Sequence, residues 1–158
     1  MKKHFIFFLS FVLSLFSLIS CISNNTTESK LILKVPVHSN TNSTDSVIFT
    51  GKDINWFNAD TQELSFVNPP SLNALQKFIQ IKFFLGIDSL FTARIALDIM
   101  SASISNLVLH LNNRDGKFYL EDGYPNGNNV LSIQNKEKRA AAWAKFIAQL
   151  KLEGRYKE

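Results

Sequence analysis

The chain has 158 residues, 17 Lys and Arg against 13 Asp and Glu, and a single cysteine. One cysteine leaves no intramolecular disulfide. Charges of both signs are interspersed, with none of the concentrated basic stripe that holds a phosphate backbone, so nucleic acid is not an expected partner.

Met1 to Ser20 has the three parts of an export signal: Lys2 and Lys3 give a positive start, Phe5 to Ile19 an apolar core, and Ser20 a small residue before a cut. A transmembrane anchor needs about 20 apolar residues to cross roughly 30 Å of hydrocarbon. This stretch is shorter, carries Ser10, Ser14 and Ser17, and runs into Asn24, Asn25, Thr26 and Thr27 with no basic stop. Leu18-Ile19-Ser20-Cys21 resembles the bacterial lipobox, with Ile19 where Ala or Ser is usual. That resemblance implies cleavage before Cys21 and a lipid on its thiol; the alternative is a free or disulfide-forming thiol after ordinary secretion. A single buried acyl chain binds a membrane only marginally, with a constant of about 10⁴ M⁻¹, whereas two or more hold it. A triacylated Cys21 would stay on the membrane. Removing Met1 to Ser20 takes out Lys2 and Lys3 and no acid, leaving 15 basic and 13 acidic residues and a formal charge of +2.

Residues 21–46 read as a tether. Asn, Ser and Thr dominate Ser23 to Ser29 and Ser39 to Ser46, with too little apolar surface to offset chain entropy. Between them Leu31 to Val37 has strand character but contains Pro36, which suits an edge strand or a sticky patch in a linker, edge pairing being slightly favoured.

Residues 47–158 are enough for one domain with a single core. Val47 to Thr50 is a short β-type run ended by Gly51, and Glu63 to Val67 is a second, stopped by Asn68-Pro69-Pro70; a helical turn is expected between them at Asp53 to Phe57. Ile79, Ile81, Phe83 and Leu85 share one parity and Gln80 and Lys82 the other, the two-residue period of a half-buried strand. Gly86 to Ser89 makes a tight connection, and Phe91, Ala93, Ile95 and Leu97 line one face of the returning strand. Leu107 to Leu111 and Lys117 to Leu120 flank Asp115-Gly116, a strong hairpin signature. A polar loop follows from Asp122 to Asn129.

A helix is expected from Lys136 to Glu153, because Ala140, Trp143, Ala144, Ile147 and Leu150 recur at three- and four-residue steps. Asn135 is the expected N-cap and Gly154 the C-terminal stop. Such a stripe must cover something, and the sheet is the available partner. The expected fold is α+β: a mostly antiparallel sheet of five or six strands with the C-terminal helix packed on it.

The search for chemistry is largely negative. An acylated Cys21 cannot be a nucleophile, no Gly-x-Ser-x-Gly elbow occurs, and no glycine loop cradles phosphate. His38 and His110 are the only histidines after the signal, so no multi-histidine metal site is expected and no cofactor is implied. His110 shares the parity of Val108, opposite Leu109 and Leu111, and reads as a surface or interface residue. Glu121 and Asp122 are neighbours in a strand and so face opposite sides. Tyr119, Tyr124, Asn126 and Asn128 form the best candidate ligand surface, since tyrosine rings offer apolar area and amides offer hydrogen bonds to a peptide or carbohydrate. The plainer reading is that Tyr124 packs its own loop onto the sheet.

With its lipobox, short polar tether, Lys117 to Pro125 segment and closing Lys138 to Leu150 helix, the chain is similar to small Bacteroides-type lipoproteins of uncharacterised function. The resemblance implies location and no catalytic residues. In that group, acids right after the cysteine favour display on the cell surface; Ile22-Ser23-Asn24-Asn25 lacks them, so an outer-membrane position facing the periplasm is preferred. The resulting expectation is a non-enzymatic binding or accessory module, held to the membrane through acylated Cys21 and engaging an unidentified envelope protein or glycan. The rival is a hydrolase of envelope glycans acting through a carboxylate pair such as Asp98 and Glu121.

Changing Cys21 to Ser should release the protein from the membrane fraction and abolish cleavage before residue 21. Unchanged partitioning and processing of the variant would disprove the lipid site.

Overall fold

A computed structural model describes residues 30–35, 46–98, 103–125 and 127–158. Cys21, the expected tether on either side of residues 30–35, and Asn126 lie outside them. Among the described residues no helix is long and apolar enough to cross a membrane.

The architecture is α+β, with the long helix at the C-terminal end of the described chain. Six strands, β1 (Leu31–Val35), β2 (Ser46–Thr50), β5 (Gln80–Leu85), β6 (Asp88–Leu97), β7 (Ile104–Asn112) and β8 (Lys117–Tyr124), form one sheet in the order β2-β1-β5-β6-β7-β8. A second sheet has the order β4-β3-β9, from β3 (Ile54–Asn58), β4 (Leu64–Phe66) and β9 (Tyr156–Lys157). Helix α1 is a single turn, Leu72–Leu75, capped by the Ser71 hydroxyl, which accepts from the Ala74 amide; α2 spans Val130–Leu152.

Both expected hairpins are present. Gly86, at φ 64°, turns β5 into β6, and Gly116, at φ 71°, turns β7 into β8; positive φ is cheap only for glycine. The hairpins join through β6 and β7 in parallel, Arg94 opposite Val108 to Leu97 opposite Leu111. The large sheet is therefore mixed, with four of its five pairings antiparallel, as expected of a mostly antiparallel sheet of six strands; the expectation of a single sheet is corrected, since the second sheet was not foreseen. β4 reaches the large sheet through a bridge between Glu63 and Tyr119, the Leu120 amide donating to the Gln62 carbonyl at 2.9 Å, and a 3.0 Å ion pair between Lys117 and Glu63.

Three further expectations change. The Leu31 to Val35 segment pairs with β2 on one side and β5 on the other, with Leu31 wholly buried; it is an interior strand. The helical turn expected at Asp53 to Phe57 is a 3₁₀ turn at Gly51–Asp53, closed by the Asp53 carboxylate accepting from the Thr50 amide at 2.8 Å, while Ile54 to Asn58 is strand. The long helix begins six residues early: Asn129, not Asn135, is the N-cap, its side-chain oxygen accepting from the Ser132 amide at 2.9 Å. The first turns hide this start, because Val130, Leu131 and Ile133 are exposed and draw no apolar stripe.

The stripe is also rotated from its expected position. Ala140 and Ala144 are exposed; Phe146 and Leu150 are completely buried, with Trp143 and Ile147 packed beside them. Phe146 makes ring contacts with Phe57 of β3 at 6.0 Å, with Phe83 of β5 at 5.8 Å and with Phe91 of β6 at 5.5 Å. Both sheets thus meet the helix at one ring. After Glu153 the chain reverses at Gly154 (φ 67°), the Gly154 amide donating to the Lys151 carbonyl at 3.1 Å and Arg155 to Leu150 at 2.8 Å, the paired bonds of a Schellman stop. The reversal lays Tyr156 and Lys157 parallel to Phe57 and Asn58.

Phe146→Ala should cost about 3–5 kcal/mol of stability, whereas Ala144→Gln, on the exposed side, should stay within about 0.5 kcal/mol. Denaturant titration of both variants checks this; equal losses would place the helix the wrong way round.

Candidate functional site

Strand register brings three polar side chains together on the sheet face opposite α2. Leu107, Leu109 and Leu120 enter the helix-side core, so their neighbours Val108, His110 and Glu121 face the other way. Val108 pairs with Glu121 and His110 with Tyr119, which makes Glu121 a diagonal neighbour of His110. On the other flank Ala96 pairs with His110, and Asp98 follows two residues on, on the same face.

The His110 ring lies between the two acids, Nε2 2.6 Å from Asp98 Oδ1 and Nδ1 2.9 Å from Glu121 Oε1. Only 12% of its side chain is exposed, so the surface position expected from parity becomes an enclosed one. A neutral imidazole has one N–H and can donate to one acid; the imidazolium donates to both. Asp98 also accepts from the Asn113 amide at 2.8 Å. The hydrogen bond from His110 holds the Asp98 carboxyl below its ordinary 3.8, against a desolvation that pushes it up and with the Asn113 amide assisting.

Tyr124 and Tyr119 flank the same ring at centroid distances of 4.8 and 6.2 Å. Tyr124 also packs on the small cluster of Ala96, Ile104 and Val108. The Tyr119 hydroxyl donates to Asp115 at 3.0 Å, and burial first, then this bond, pushes Tyr119 above its usual range. Both tyrosines of the expected ligand surface are thus engaged around His110, while Asn128 belongs to a different feature.

That feature is a cavity of ≈ 320 Å³ at the start of α2, lined by residues that include Asp122, Pro125, Asn128, Ser132 and Lys136. Glycines let its walls close. A Cβ at Gly127 would sit 1.7 Å from the Asp122 carbonyl oxygen, and one at Gly123, where φ is 91°, would sit 2.8 Å from the Ser132 hydroxyl. Asp122, on the helix side as its parity against Glu121 requires, pairs with Arg139 and, at 3.1 Å, with Lys136. Burial pushes the Arg139 guanidinium below its ordinary value. The Ser132 hydroxyl is buried and has no hydrogen-bond partner among the described residues.

The arrangement limits what the acids can do. In a nucleophilic triad the carboxylate takes one imidazole nitrogen and leaves the other for the nucleophile; here Asp98 and Glu121 take both. A glycosidase keeps its carboxyls about 5–10 Å apart across the bond to be cut, and here the ring fills the space between them. Among the described residues no group of three or more His, Cys, Asp or Glu is placed to hold a metal ion. No family model, curated protein or solved structure matches this chain.

The convergence on His110 was half-legible. The Asp115-Gly116 turn fixes the hairpin register and hence Glu121, but Asp98 arrives through the parallel pairing, which no local signal announces. Ser132 was missed because the helix was started too late.

Folding lowers the Asp98 pKa, so it favours the ionised carboxylate. The stabilisation is present in full above 3.8 and disappears as pH falls through the lower folded-state value. Asp98→Asn should lower the melting temperature at neutral pH and flatten its decline in acid. Melting curves of variant and wild type that run parallel through the acid range would show that the pairing adds nothing.

Proposed function

We propose that the protein is a non-catalytic binding or accessory module held at a bacterial envelope membrane through acylated Cys21, and that it takes a neutral, hydroxyl-rich ligand such as a short envelope glycan. The observation that carries the ligand reading is the Ser132 hydroxyl, buried on a cavity wall without a partner. Leaving such a group unpaired costs about 1–3 kcal/mol. A ligand hydroxyl would supply the missing bond.

The rest of the wall suits the same chemistry. Lys136, Asp122 and Glu121 on the same wall offer donors and acceptors to ligand hydroxyls. The volume falls at the low end of the about 300–1,000 Å³ common for small-molecule sites, enough for one or two sugar rings. Against the hydrolase reading stands the His110 ring between Asp98 and Glu121.

Titration of the full chain, in non-ionic detergent, against a panel of envelope oligosaccharides tests the reading. At least one should bind, Ser132→Ala should weaken it about tenfold, the worth of one hydrogen bond, and the same change should leave the fold as stable or more so. A panel with no binder, or a binder indifferent to Ser132→Ala, overturns the proposal; release of shortened sugars would restore the hydrolase.

A further inference from the structure

The ladder between β6 and β7 is incomplete. It runs from Arg94 opposite Val108 to Leu97 opposite Leu111, and upstream of it Leu90 to Ala93 and Ile104 to Leu107 have no partners across this pair. A cleft of ≈ 680 Å³ is lined by residues of both parting strands, with Asn135, Lys138, Arg139 and Ala142 of α2 along another side.

The lining is one-signed. Arg94, Lys138 and Arg139 contribute three cationic groups, and among the described residues no acid lines the cleft. Arg139 is neutralised by Asp122. Among the described residues Arg94 and Lys138 have no ion pair, and the Arg94 Nε is buried without any hydrogen-bond partner. A guanidinium in that condition is short of an acceptor, and an oxyanion offers two in the geometry of its fork. Asn106 lines the same cleft; its oxygen accepts from Asn135 at 2.8 Å, which leaves its own NH₂ to donate to a ligand. The remaining wall mixes polar Gln80 and Thr92 with an apolar part formed by Leu107 and Phe91 and by Ile79 at 70% exposure.

We infer that the gap between β6 and β7 binds a small organic anion, its carboxylate, phosphate or sulfate group held by Arg94, Lys138 and Asn106 and its apolar body lying against Phe91, Leu107 and Ile79. The cleft volume lies within the range of small-molecule sites, which favours a free metabolite-sized ligand over a folded partner. None of the three anion-holding residues lines the cavity at the start of α2, so the two sites stand or fall separately.

Calorimetric titration of the full chain in a non-ionic detergent tests the site, with benzoate, phenyl phosphate and neutral benzamide as probes. One of the two anions should bind, the preferred one distinguishing carboxylate from phosphate chemistry, and benzamide should bind at least about tenfold more weakly, as expected when a charge-assisted pair is lost. Arg94→Gln should weaken the anion about tenfold, and Lys138→Gln, at an exposed helix position where folding is not at risk, should weaken it severalfold. Equal binding of benzamide, anion binding that survives both substitutions, or no binding of either anion overturns the assignment.

Discussion

Phe146 is the side chain through which two sheets become one body. Its ring touches Phe57 from the three-stranded sheet and Phe83 and Phe91 from the six-stranded one, with Trp143 at 5.3 Å on the helix itself. The smaller sheet needs that contact most, since one of its strands is two residues long and so short a sheet is marginal alone. The helix needs it as well, because most of the stability of a helix in a protein comes from packing its apolar face and little from propensity. The stop at Gly154 adds a second tie: the chain that leaves the helix returns at once as β9, so position of the helix and closure of the small sheet are set together.

Features that depend on near neighbours were readable from sequence. The turns at Gly86 and Gly116 carry their own backbone chemistry, and the alternation of Ile81 and Phe83 with Gln80 and Lys82 names the buried face. What escaped depends on distant partners. Parallel neighbours usually need a crossover of a dozen or more residues, yet only residues 98–103 join β6 to β7, so the spacing suggests two separate hairpins. Leu31 to Val35 looks peripheral because its flanks are polar; it becomes interior because β2 and β5 both pair with it. The small sheet is built from Ile54 to Asn58, Leu64 to Phe66 and a pair of residues beyond the helix, none long enough to show a period of its own.

The candidate site was legible to the same degree. Asp98, Glu121, Tyr119 and Tyr124 were each singled out from sequence, but as members of two competing sites; the fold places all four around His110. Both carboxylates there lie against the ring nitrogens. Unmet bonding capacity lies elsewhere, at Ser132 on the helix side and at Arg94 where β6 and β7 part. Buried polar groups are almost always paired in folded proteins, so such exceptions call for an explanation. The polar clamp around His110 and the two hollows that α2 helps to wall are thus different features, meeting at Glu121, which also lines the hollow at the start of α2.

If Cys21 is acylated as proposed, the interior position of β1 also sets how far this domain can stand from a lipid surface. Were residues 21–46 all linker, the body could drift across a wide zone. With Leu31 fixed in the sheet, only the nine residues 22–30 separate it from Cys21. Fully extended, that leash reaches about 35 Å. Under the proposed acylation, a ligand for either hollow would be met within roughly one domain diameter of the bilayer.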